Sequence, residues 1–83
     1  MKKVIKMREM SVNQEGMIKK IATSGEMGRR IREMGLLPKT RIRIQGRAPL
    51  RDPVAVKIMD YVLTLRNNEA DFITVEVDSE GVE

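Results

Sequence analysis

Few side chains in this 83-residue sequence could do chemistry. It has no histidine and no cysteine, which excludes imidazole bases, thiolate nucleophiles, disulfides and zinc fingers. Carboxylates, Lys, Arg, Ser, Thr and Tyr61 remain, and no acid–base pair among them stands in an identifiable apolar setting. Asp71, Glu76, Asp78 and Glu80 come nearest to a hard-cation cluster. Glu76 and Asp78 share one strand face, yet the spacing matches no loop-type site, and a solvated strand face with a polar tail explains them. Seven methionines offer thioethers of the kind that suit Cu(I). Met27 and Met34 instead lie on one helical stripe, and Met7 and Met10 are three apart. In a chain with one Phe and no Trp, methionine is the natural filler of core gaps. The inventory predicts no enzyme activity, no cofactor, no small-molecule substrate and no tight metal site.

Nucleic-acid and nucleotide signatures are equally thin. Gly25-Glu26-Met27-Gly28-Arg29-Arg30 is a GxxG followed by bases, the form of the backbone clamp in KH domains. That clamp joins two helices, whereas a strand pattern precedes these glycines, and helix capping accounts for them. No P-loop is present. With Tyr61 and Phe72 as the two aromatics, a stacking platform for unpaired bases is nearly excluded.

Charge is unevenly spread. The net charge is +4, but residues 1–51 hold 14 bases against 4 acids and residues 52–83 hold 2 bases against 8 acids. The two halves can pair internally, or they can leave an electropositive face for an acidic partner. The basic start Met1-Lys2-Lys3-Val4-Ile5-Lys6 lacks the apolar stretch of a signal peptide. Uncharged apolar runs fall far short of the roughly 20 residues a bilayer requires. A cytosolic protein is expected, and the absent cysteines fit a reducing compartment.

Strands must position whatever site exists. Ile and Val supply 16 of the 28 large aliphatics, and period-two alternation marks Arg41–Gln45, Val54–Ile58, Tyr61–Arg66 and Phe72–Val77. Gly16–Ala22 fits if a bulge at Lys19-Lys20 restores the facing of Ile18 and Ile21. Ile44, Val56, Leu65 and Val75 should point inward. Between the first two of these strands, Met27, Ile31 and Met34 form one helical stripe. Thr23 with Glu26 makes a capping-box pattern, Ser24 is the alternative cap, and Gly35 and Pro38 end the helix. Glu26–Arg30 and Arg29–Glu33 are spaced for i,i+4 pairs. Residues 46–53 should form a projecting loop, Met59-Asp60 a hairpin turn with Asp60 at positive φ, and residues 67–71 one 3₁₀ turn. The expected fold is mainly β, a small barrel of about five strands with one short helix inserted between the first two. It forms a single domain over residues 1–83. Residues 1–13 are a leader in which Met7–Met10 turns over an open barrel end, and residues 79–83 are an acidic tail expected to fray.

Three leucines resist a structural reading by periodicity: Leu36 and Leu37 in Met34-Gly35-Leu36-Leu37-Pro38, and Leu50 in Arg47-Ala48-Pro49-Leu50-Arg51-Asp52-Pro53. They can plug barrel ends, or they can form an apolar patch rimmed by Arg47 and Arg51. Arg41 and Arg43, on the outward side of one strand, form a second basic face.

These segments also carry a resemblance. Arg30-Ile31-Arg32-Glu33-Met34-Gly35-Leu36-Leu37-Pro38, then Arg47 to Val54, then Leu63-Thr64-Leu65-Arg66 with Glu69-Ala70, resemble in order and spacing the FeoA family of ferrous iron transport accessory proteins. The likeness runs from about Gly16 to Val77. The family often carries glycine where this chain has Asp60 and Arg51, so the hairpin and loop there are expected to differ locally. The resemblance implies an SH3-like barrel, a non-enzymatic regulatory or assembly role, and one principal partner. That partner is FeoB, the membrane transporter of ferrous iron with a cytoplasmic GTPase domain. Its docking residues are not implied by the family. From this chain's own residues they are taken as Leu36, Leu37, Arg47, Leu50 and Arg51, with Arg41 and Arg43 as a secondary face. The same barrel occurs in iron-dependent repressors, so a nucleic-acid-binding barrel is the alternative. Without a helix-turn-helix partner, operator binding is not expected. A weak homo-oligomer is compatible with either reading.

Overall fold

The computed structural model describes residues 2–50 and 52–78. Arg51 and the expected acidic tail, residues 79–83, lie outside the described residues. Six strands, all paired antiparallel, form one sheet: β1 (Lys2–Lys6), β2 (Glu15–Ile21), β3 (Arg41–Arg47), β4 (Val54–Ile58), β5 (Tyr61–Leu65) and β6 (Ile73–Asp78). Their order is β1-β6-β2-β3-β4-β5, so β1 and β5 are edges and the barrel stays open between them. Helix α1 (Gly25–Glu33) lies between β2 and β3, and α2 (Asn67–Ala70) is one turn between β5 and β6.

The mainly β fold with its short inserted helix is as the pattern predicted, with one strand more. β1 escapes a periodicity reading because three of its five residues are lysines. Its pairing with β6, from Lys2↔Asp78 to Lys6↔Thr74, recruits it into the sheet. The rest of the leader folds as expected. Met7–Glu9 is a 3₁₀ turn, and Met7 and Met10 are fully buried.

Alternation builds the core as read. Ile44, Val56, Leu65 and Val75 are all fully buried, with Ile42, Val54, Ile58, Ile73 and Val77 around them. The pairing of β2 with β6 shifts register between Ile18 and Lys20, which turns Ile18 inward and leaves Lys19 and Lys20 in solvent. Gly16 sits where these strands come close. A Cβ there would run into the Val75 side chain and the Glu76 carbonyl. Ile31 is fully buried, and Met27 and Met34 pack half-buried beside it on the expected α1 stripe.

Local details depart from the sequence reading in four places. The Thr23–Glu26 capping box does not form; Ser24 is the N-cap, and its carbonyl accepts the Gly28 N–H at 3.4 Å. Neither expected i,i+4 pair closes among the described residues; Arg30 turns instead to Glu69 on α2 at 3.2 Å. At the β4–β5 hairpin the positive φ belongs to Met59 (51°) rather than Asp60. That is the first central position, where a two-residue hairpin turn of the II′ kind requires it. Residues 67–70 close as an α-turn rather than a 3₁₀ turn. Arg66 N–H donates to Glu69 Oε1 at 3.0 Å, and Asn67 N–H donates to Asp52 Oδ1 at 2.9 Å.

The charge asymmetry is partly resolved inside the molecule. Arg8 meets Asp71 at 2.7 Å and Arg30 meets Glu69 at 3.2 Å, each joining the basic half to the acidic half. Lys2 and Asp78 are cross-strand partners.

Candidate partner-binding surface

The turn after α1 separates its two leucines. Gly35 takes φ +100°, its N–H donates to Arg32 O at 2.9 Å, and Leu36 N–H donates to Ile31 O at 3.4 Å. These are the two bonds of a Schellman motif, which places Leu36 against Ile31. Leu36 is fully buried and is therefore a core plug, not a docking anchor. Leu37 opens the next turn, with Lys39 at φ 75° and Thr40 N–H donating to Leu37 O at 3.1 Å. Its side chain stays 45% exposed.

At the other end of β3 the loop is closed at its base by Ala48 N–H donating to Pro53 O at 3.1 Å. Leu50 projects from it and is 89% exposed. Arg47 does not rim that leucine. Its Nη2 donates to the carbonyls of Met10 (2.7 Å), Arg8 (2.9 Å) and Met7 (3.4 Å), closing the end of the 3₁₀ turn. Three carbonyls on one guanidinium nitrogen make Arg47 a structural clamp rather than a steering charge. Leu37 and Leu50 thus flank opposite ends of a seven-residue strand, roughly 20 Å long at 3.3 Å per residue. The structure does not gather the leucines into one patch.

The secondary pair, Arg41 and Arg43, shares one side of β3. Arg41 and Arg43 point outward, Arg43 is the cross-strand partner of both Glu15 and Lys57, and these side chains with Met59 line a shallow depression of about 280 Å³. The Glu15 carboxylate lies within this basic row.

A second concavity has no counterpart in the sequence reading. Met27 and Arg30 of α1 with its C-cap residue Met34 form one wall, Thr64 and Leu65 of β5 with Arg66 form the other, and Pro53 lines it as well. It encloses about 380 Å³. The Tyr61 hydroxyl donates to Met34 O at 2.9 Å and ties the C-terminal end of α1 to the start of β5. Glu69, the one buried charged residue among those described, lines the groove with both oxygens used, by Arg66 N–H and by Arg30. A pairing of residues 27–34 with residues 61–66 depends on tertiary contact, so no local spacing could have shown it.

Most of the motif residues have structural work. Ile31 and Leu36 fill the core, Gly35 ends α1, Arg30 and Glu69 pair, Arg47 clamps the 3₁₀ turn, and Asp52 holds α2. Leu37, Leu50, Thr64 and the Arg66 side chain remain directed to solvent. Among the described residues no three His, Cys, Asp or Glu side chains cluster, and no helix is long and apolar enough to cross a membrane.

The FeoA domain model matches residues 5–77, nearly the whole described sheet with its helix. The chain belongs to the FeoA family. Over 75 residues it is 36% identical to the Fe(2+) transport protein A/Fe(2+) transporter FeoB fusion protein of Porphyromonas gingivalis. That match covers 90% of this chain and 9% of the fusion protein. The solution structure of iron(II) transport protein A from Clostridium thermocellum is 38% identical and superposes with a TM-score of 0.84, covering 88% of this chain and 45% of that one. The zinc-complexed FeoA of Stenotrophomonas maltophilia, described as a prokaryotic SH3 domain protein, is 20% identical with a TM-score of 0.75 over 92% of each chain. It shares the fold. The FeoA-type barrel is thus SH3-like, with its closure left open between β1 and β5.

Proposed function

We propose that this FeoA-family chain is a non-enzymatic accessory protein of ferrous iron transport that binds the cytoplasmic part of a FeoB-type membrane transporter. The observation that carries this reading is the Porphyromonas gingivalis relative, in which a segment like this chain and a FeoB transporter are one polypeptide. Covalent linkage holds two modules at high effective concentration, an arrangement that suits modules acting on each other.

Leu50 is the leading contact residue. A large apolar side chain held 89% in solvent on a closed loop is an anchor without a pocket. Arg51, the next residue in sequence, together with Leu37 and the Arg41/Arg43 face, supplies further contacts and the positive charge that steers an acidic partner. The full chain, immobilised, should retain the detergent-solubilised transporter. Leu50→Glu should abolish retention with circular dichroism and melting temperature unchanged. Wild-type protein that retains no transporter would overturn the reading; a Leu50→Glu variant that retains it fully would move the site away from the loop.

A further inference from the structure

The two sheet edges are unequally defended. β1 carries Lys2, Lys3 and Lys6, the charged residues that discourage another strand from pairing there. β5 reads Tyr-Val-Leu-Thr-Leu, with no charge and no proline. A two-residue hairpin closes on a hydrogen-bonded pair, here Ile58↔Tyr61. Antiparallel bonds alternate, so Tyr61, Leu63 and Leu65 bond to β4 while Val62 and Thr64 turn their N–H and C=O outward. Nothing among the described residues receives them.

Beside this edge runs the groove whose far wall is α1. An open strand edge facing a helix across a groove, here one that mixes apolar with polar and charged side chains, is the arrangement with which PDZ and PTB domains take up an extended peptide as an added strand. The wall is built from Met27 and Met34, flexible side chains that adapt to varied apolar partners. Charge defines the occupant further. Arg30 is spent on Glu69, whereas the exposed Arg66 at the end of the groove engages, among the described residues, through its backbone.

We propose that an extended segment of the transporter adds to β5 as a further strand, its apolar side chains against Met27 and Met34 and an acidic side chain against Arg66. This rests on the transporter-binding reading above. Pro53 places the groove three residues along the loop from Leu50, so one partner can engage both.

The test titrates detergent-solubilised transporter against the immobilised full chain. Thr64→Pro deletes an outward N–H and leaves the β4 bonds intact. It should weaken binding at least tenfold, and Arg66→Glu should weaken it several-fold. Overlapping synthetic peptides tiling the transporter's cytoplasmic segments should yield a binder that contains Asp or Glu and shifts the Val62 and Thr64 amide resonances. Should Thr64→Pro unfold the domain, Arg66→Glu and the peptide shifts decide. Wild-type binding unaffected by either variant, or peptide shifts that spare β5, would overturn this proposal and leave the transporter-binding reading standing. No binding by wild-type protein would remove both. A chain that dimerises without transporter, and loses the dimer on Thr64→Pro, would assign the edge to a second copy and overturn the proposal.

Discussion

β1 and β5 border the same sheet, are five residues long and lie at the two ends of the strand order, yet they are built oppositely. β1 is closed to partners by its lysines and locked behind by core residues. Met7 and Met10 are buried just beyond it, Lys6 N–H donates to Glu9 Oε1 at 2.9 Å, and Arg47 holds three carbonyls of the turn. β5 is uncharged, rests on a tight hairpin, and is tied to the C-cap of α1 by the Tyr61 hydroxyl bond to Met34 O. One edge is finished by the chain itself and the other awaits completion. For a chain of the FeoA family, that difference points to where a partner is bound.

Removing the anchors behind β1 should produce the largest effects. Met10→Ala should cost about 2–5 kcal/mol, the range for deleting a buried long aliphatic side chain, measured by urea unfolding. Arg47→Ala strands three carbonyls at the end of the 3₁₀ turn, and about 1–3 kcal/mol is expected, with β1 amides exchanging first. On the β5 side, Tyr61→Phe removes the hydroxyl bond to Met34 O and should cost about 0.5–1.5 kcal/mol. Met59→Gly should be the smallest change, neutral to stabilising by about 1 kcal/mol at most, because relief of the positive φ at Met59 is partly offset by glycine's greater freedom in the unfolded chain. Asp60→Gly should give no such gain. Equal losses from Arg47→Ala and Tyr61→Phe would erase the contrast between the edges.

What the sequence disclosed follows from the range of each signal. Period-two alternation is local; it marked four of the six strands and the four inward residues tested against the core, and an assumed bulge at Lys19-Lys20 supplied the fifth strand. β1 was hidden because pairing with β6, not its own pattern, makes it a strand. Leu36 was legible in principle: Gly35 at the left-handed position makes the next residue the one that packs on Ile31. Treating Leu36 and Leu37 as a pair concealed this. Arg47 could not be read, since its carbonyl partners are 37 to 40 residues away. The groove between α1 and β5 joins segments about thirty residues apart and leaves no periodic trace. Leu50 remained visible throughout, because nothing regular in the chain accounts for a leucine there.

Amide hydrogen exchange on the full chain, with and without the detergent-solubilised transporter, tests the central claim most directly. The account predicts that transporter slows exchange at Val62 and Thr64 and in the loop around Leu50, while β1 amides exchange at their free rates. Protection confined to β1, or a pattern unchanged by transporter, would contradict it.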